Sequence, residues 1–278
     1  MIRPALQDDG FLADARATNV NDEHFRLWWL GQSGFLLQWH GHHLLLDPYL
    51  SDSLTKKYAA TDKPHIRMTG RVVDPSRLDF INVVTSSHNH TDHLDAETLV
   101  PLLCANPELK IVVPEANRQF VGERLGIEPS LPLGLRDGES IMVGGFLVTA
   151  VPAAHEELSP GCLGYVVQFG PWTVYHSGDT LLYEGMAERL QTFPIDVALL
   201  PINGRAPERR VAGNLNPREA AELGRAIGAR LVIPCHYEMF TFNTVDPGEF
   251  ASAAEKVGQP YRLLRCGERW SSGSLPEG

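Results

Sequence analysis

The sequence predicts an α/β protein, a four-layer αβ/βα sandwich whose two sheets pack face to face with helices outside. Three observations predict it. Strand-forming runs are followed by alternating strands and helices, and the chain goes through this order twice. Its 25 glycines and 20 prolines call for many turns between short elements. With 43% apolar residues in 278, it has enough apolar side chain for one large core.

Residues 1–24 are polar and weakly patterned and read as a tail or short surface helix, leaving 25–278 as a single domain. FRLWWLGQSGFLLQWHGHHLLLDPYL then holds three β-rich runs, 25–30, 34–40 and 43–47, broken by Gly31, Gly34 and Gly41, the pattern of a strand meander. HGHH, at 40–43, is metal-like in composition, but its place between two runs makes it a hairpin turn with exposed imidazoles. Residues 50–75 show no period, and such a stretch in a compact protein acts as a lid or a mobile segment. FINVVTSS (80–87) is an apolar strand, DAETLVPLLCANP (95–107) a helix, KIVVP a strand, and EANRQFVGERLG a helix ended by Gly126.

RDGES turns the chain into the second round. IMVGGFLVTAVPA, LGYVVQF and WTVYHS are strands, LLYEGMAERLQ a helix and DVALLPI a strand. NPREAAELGRAIG is a helix with Asn216 as N-cap and Pro217 in its first position. RLVIPC, a helix in DPGEFASAAEKVG and a last strand in YRLLR complete it.

The net charge of -10 repels phosphate backbones, and Arg205, Arg209 and Arg210 form the one basic grouping, so no nucleic-acid partner is expected. Cys104, Cys162, Cys235 and Cys266 form no C-x-x-C pair and read as reduced thiols of a cytoplasmic protein. The N-terminus lacks an apolar h-region, and no stretch is long and apolar enough to span a bilayer.

SSHNHTDHLD, residues 86–95, gathers three histidines and two aspartates, residue types that are seldom buried without partners. His88 and His90 are two apart, so in extended chain both imidazoles point to one side. Asp92 and His93 follow where the chain turns into a helix and can face a second point nearby. Imidazole and carboxylate suit zinc, iron and manganese, so one loop offers half-shells for two ions. His155, Asp179 and His236 each lie just past an apolar strand, as His88 does. In sheets flanked by helices such positions gather at one rim.

H-N-H-T-D-H at 88–93 resembles the HxHxDH motif of the metallo-β-lactamase superfamily. His155, the SGD containing Asp179, His236 and the LDP at 46–48 are similar to its other motifs, and the likeness runs from Phe25 to the last strand. YHSGDT, NPREAAELGRAIGARLVIPCHY and WLGQSGF look most like its ascorbate-6-phosphate lactonase branch. The resemblance implies the αβ/βα fold and two divalent ions, zinc or manganese, with iron as the alternative. It implies that His88, His90 and His155 hold the first ion, Asp92, His93 and His236 the second, and that Asp179 bridges them. Asp47 and Asp95 would sit behind the ligands and accept histidine N–H groups, with a plain helix N-terminal role as the other reading of Asp95. His176 is core or sits behind the ligands.

PINGRAPERR follows a strand, so Asn203 and Arg205 should approach the rim, where Arg205 would bind a substrate anion. Arg209 and Arg210 read as a solvated loop, and Tyr237 as a donor to a developing oxyanion. The expected activity is hydrolysis of a small anionic ester or lactone by metal-activated hydroxide, with Asp92 or Asp179 holding the proton. The rivals are a phosphodiesterase for small or lipid phosphodiesters, a di-iron redox protein and a non-catalytic metal binder. Self-association as a homo-oligomer is compatible with all four.

Overall fold

The computed structural model describes residues 1–17 and 23–276. α1 (Asp8–Arg16) buries Phe11, Leu12 and Ala15 against the first sheet, Phe11 meeting Trp28 edge-on, so it is a packed helix and not a surface one. Residues 18–22 of the expected tail lie outside the described residues.

The glycine-broken stretch after Phe25 is a meander of β1 (Arg26–Gly31), β2 (Gly34–Trp39) and β3 (His42–Leu46), paired antiparallel. Gly31, at φ 96°, makes the sharp first turn, which few other residues tolerate. β4 (Val83–Thr85), β5 (Lys110–Pro114) and β6 (Leu133–Leu135) are added parallel to β3. Within the aperiodic 50–75 stretch lies one short helix, α2 (Ser53–Tyr58). α3 (Ala96–Ala105) joins β4 to β5, and α4 (Arg118–Leu125) joins β5 to β6 and ends at left-handed Gly126.

The second sheet repeats the plan. β7 (Ser140–Val143), β8 (Phe146–Ala154), β9 (Leu158–Phe169) and β10 (Trp172–His176) run antiparallel. β11 (Val197–Pro201) and β12 (Leu231–Cys235) are then added in parallel. α5 (Met186–Leu190), α6 (Pro217–Ala226) and α7 (Pro247–Val257) connect or flank them. β13 (Arg269–Ser271) crosses back to pair with β1, giving sheets of seven and six strands. The two sheets meet through aromatic rings: Phe169 lies 5.3 Å from Phe25 and 5.7 Å from Trp39. With helices outside, this is the αβ/βα sandwich.

IMVGGFLVTAVPA is not one strand but the β7–β8 hairpin, turning at Gly144 and Gly145, and β6 and β13 fall where no strand was expected. Three further elements differ because of the partners they meet. The helix expected over 181–191 covers only Met186–Leu190, because Leu181 bridges to Ala154 and the Tyr183 hydroxyl donates to Pro152 O at 2.9 Å. YRLLR is not a strand. The Tyr237 hydroxyl donates to Leu264 O and accepts from Leu264 N, taking the backbone groups a ladder would need. β9 starts earlier than LGYVVQF because its first residues continue the hairpin with β8, Leu158 opposite Ala154. The consequence is that His155 sits on a tight hairpin turn.

Candidate metal centre

β4 ends at Thr85, and the chain then turns sharply, with Leu94 N donating to His90 O at 2.8 Å, before Asp95 begins α3. That turn brings its histidines to the ends of β8, β10 and β12. His88, His90 and His155 form one group and Asp92, His93, Asp179 and His236 another, the ligand-type atoms of each lying within 4.8 Å of one another. Asp179 stands between them. Its Oδ1 is 3.3 Å from His93 Nε2, and its Oδ2 is 3.5 Å from His236 Nε2 and 3.8 Å from His155 Nε2. His90 Nδ1 and His155 Nε2 face each other at 3.0 Å.

Asp47, just past β3, is fully buried and accepts from His93 Nδ1 at 2.6 Å, Ser87 N at 3.0 Å, Thr85 Oγ1 at 3.1 Å and the Ser87 hydroxyl. Fixing the Nδ1–H of His93 on Asp47 leaves its Nε2 bare toward Asp179, the orientation a ligand needs. Asp47 and His236 hold left-handed φ values of 40° and 65°, a strain of about 1–3 kcal/mol each that dense packing must over-determine. Ser33 Oγ donates to Asp179 Oδ1 at 3.2 Å and Gln32 Nε2 to Asp92 Oδ2 at 2.9 Å. His176 lies beneath, donating from Nε2 to Ser33 O at 2.8 Å.

The donor set fits divalent cations. Nε2 of His88 and of His93 are buried with no hydrogen-bond partner, an arrangement that costs about 1–3 kcal/mol per atom unless something accepts the lone pair or proton. Burial pushes the pKa of His88 well down and that of His155 down, which keeps them in the neutral form that binds metal. For His93 burial acts the same way but loses to the carboxylates of Asp179, Asp92 and Asp47, so its pKa rises well above the usual value. Burial would raise Asp179, yet His93 and His236 hold it well below the carboxylate range. The carboxylates that raise the pKa of His93 would equally favour a cation bound at this point.

Other expected site residues lie elsewhere. Asp95 stands at the N-cap position of α3 without bonding the helix backbone through its side chain; it accepts from Thr98 Oγ1 at 2.5 Å and, among the described residues, has no hydrogen bond to a histidine. Arg205 forms a two-point ion pair with Glu219, at 2.7 and 2.8 Å, and does not line the cleft. Tyr237 is 2% exposed beneath Trp29, its hydroxyl spent on Leu264, and cannot meet an oxyanion. Asn203 is buried and reaches the cleft only through Asn243. Arg209, read as solvated, bonds Asn203 O at 2.7 Å and Asn243 Oδ1 at 3.1 Å. HGHH is a hairpin turn, but His43 is buried, because it starts the inward face of β3.

The cleft over the cluster has a volume of about 200 Å3. Its outer wall comes from α2 and the 65, 211–212 and 240–243 segments, which places part of the aperiodic 50–75 stretch over the site. There His65 stacks on Tyr58, centroids 4.4 Å apart. Gln32, Ser33, Lys57, His65 and Asn243 were not singled out from the sequence. WLGQSGF was the visible signal for the first two.

A model of the beta-lactamase superfamily domain matches residues 42–237. A UPF0173 metal-dependent hydrolase of Opitutus terrae is 31% identical over 254 residues, covering 87% of this chain and 98% of its own. One from Caldivirga maquilingensis is 29% identical over 236 residues, covering 84% and 92%. The metallo-β-lactamase fold protein YhfI of Bacillus subtilis superposes with a TM-score of 0.67 at 18% identity, over 90% of this chain and 100% of its own, a likeness of fold. No helix among the described residues is long and apolar enough to cross a membrane.

Proposed function

We propose, on the premise that this chain belongs to the β-lactamase superfamily as a metal-dependent hydrolase, that its substrate is a small anionic ester or lactone. A sugar-acid lactone or its phosphate is the leading candidate. The observation that carries the reading is Asp179, within 3.8 Å of ligand nitrogens from both groups. A cleft of about 200 Å3 suits a small ligand. Lys57 supports negative charge on it: the residue lines the cleft, and its ammonium donates to Thr91 Oγ1 at 3.3 Å.

His88, His90 and His155 would hold one ion and Asp92, His93 and His236 the other, with Asp179 shared, and zinc or manganese suits these donors. A divalent ion there supplies Lewis acidity and makes water a stronger acid. Asp47 keeps His93 in one tautomer, and Ser33 and Gln32 hold the Asp179 and Asp92 carboxylates in place. Burial raises the pKa of Asp92, but His93 and His236 outweigh that and keep it a carboxylate. Gln32 holds the Asp92 carboxylate through Oδ2, and Asp92 or Asp179 would take up a proton and return it to the leaving oxygen.

The test reconstitutes the protein with zinc or manganese and offers a sugar lactone with and without phosphate, a phosphodiester and a thioester. Lactone turnover, reduced at least about a hundredfold in Asp179→Asn, is the expected result. Turnover of the phosphodiester alone would replace the ester reading with a phosphodiesterase.

A further inference from the structure

Asn243 lies in the segment after His236 and lines the cleft together with His236 and Asp92. Its side-chain oxygen is clamped: Arg209 Nη1 donates to Oδ1 at 3.1 Å and Asn203 Nδ2 to the same atom at 3.0 Å. A guanidinium has donors only, so the atom that faces it is the oxygen and the orientation of the amide follows. The clamp is itself anchored, Arg209 to Asn203 O at 2.7 Å and Asn203 Oδ1 to Asn214 Nδ2 at 3.0 Å. The Nδ2 group donates to no protein atom among the described residues, so both its N–H groups are uncommitted on a residue that lines the cleft. The φ of 59° at Asn243 favours asparagine for backbone reasons. That accounts for the residue type but not for two donors on its oxygen.

We propose that Asn243 binds substrate, donating from Nδ2 to an anionic oxygen on it, and that Arg209 and Asn203 are positioning residues that aim the amide. The proposal rests on the reading of the cleft as a substrate site. It explains how the PINGRAPERR segment, whose Arg205 is turned away, still contributes to that site.

The test uses the full chain, zinc-loaded and labelled with 15N-asparagine. The Asn243 side-chain amide pair is assigned by its loss in Asn243→Asp, and the protein is titrated separately with acetate and inorganic phosphate. A saturable shift of that pair, with the probe bound about tenfold more weakly by Asn243→Asp, is expected. A response to acetate alone identifies a carboxylate, and to phosphate alone a phosphoryl group. Arg209→Met should broaden or move the pair without probe and weaken binding, and Arg209→Lys should restore part of it. Should Asn243→Asp not fold, Asn243→Gly keeps the left-handed backbone and removes the amide. An amide pair unmoved by both probes, or undiminished binding by the variant, overturns the proposal. A shifted amide with no turnover of any ester would instead end the ester reading and leave this one standing.

Discussion

Asp47 shows how one buried carboxylate organises the residues around it. It is the common acceptor for His93, Ser87 and Thr85 and joins the end of β3 to the metal loop. Asp47→Asn keeps the shape but presents an N–H where an acceptor is needed. It should weaken metal binding about 10- to 100-fold, read by competition with a chromophoric chelator. Affinity within twofold of wild type would mean that His93 is oriented by packing alone. His43 carries a second expectation. Burial lowers its pKa to about 4. The unfolded chain takes up a proton near the ordinary value of 6.5, while the folded chain stays neutral down to about 4. The unfolded state therefore binds more protons across that window, and stability falls as pH drops from 6.5 toward 4, by about 3 kcal/mol. Urea unfolding at pH 7 and 4.5 should show this loss reduced in His43→Gln, and parallel losses would reject the assignment.

Elements whose ends carry their own chemistry appear where the sequence places them. α6 begins at Asn216, whose side chain accepts from Glu219 N at 2.9 Å while Glu219 Oε2 accepts from Asn216 N at 3.0 Å, a full capping box followed by Pro217. Asn216→Ala should cost about 1 kcal/mol in equilibrium unfolding. Arg205 braces the same helix from outside, and the pair is half exposed on the arginine side. Arg205→Ala should therefore leave KM for an anionic substrate unchanged and stability within about 1 kcal/mol of wild type. A raised KM would return Arg205 to the substrate site. Elements set by distant partners were not legible: nothing within YRLLR says that the hydroxyl of Tyr237 will occupy Leu264.

For the molecule as a whole, the metal centre lies on the seam between the two sheets. His88, His90, Asp92 and His93 follow β4 of the first sheet, whereas His155, Asp179 and His236 follow β8, β10 and β12 of the second. Ions held there would tie the sheets together, so removing them should destabilise the fold. At free metal a hundredfold above Kd the linkage is about 2.7 kcal/mol, or roughly 5–10 °C in Tm for a chain of this size. Calorimetry with and without chelator should show that difference in the wild type and much less of it in Asp179→Asn. Away from the metals, Phe169→Ala should cost about 3–5 kcal/mol, since its ring packs against Phe25, Trp39 and Phe146.

The sequence by itself determined most of the strands and helices, the doubled plan and the set of ligand-type residues. Each is a local property: apolar runs, turn residues, and histidines or aspartates placed just beyond a strand. Asp47 was legible for the same reason, being attached to the end of a strand that a short motif marks. Only the tertiary structure decided which polar groups behind the strand ends face the cleft. Asn203, Arg205 and Tyr237 have the right chain positions, but Asn214, Glu219 and Leu264, distant in sequence, take their polar atoms. Asn243 and Lys57 have no motif, and they line the cleft because loops from separate parts of the chain close over it. Strand ends follow from local patterning, whereas the direction of a side chain in a loop depends on the competition among all the donors and acceptors that folding brings within reach.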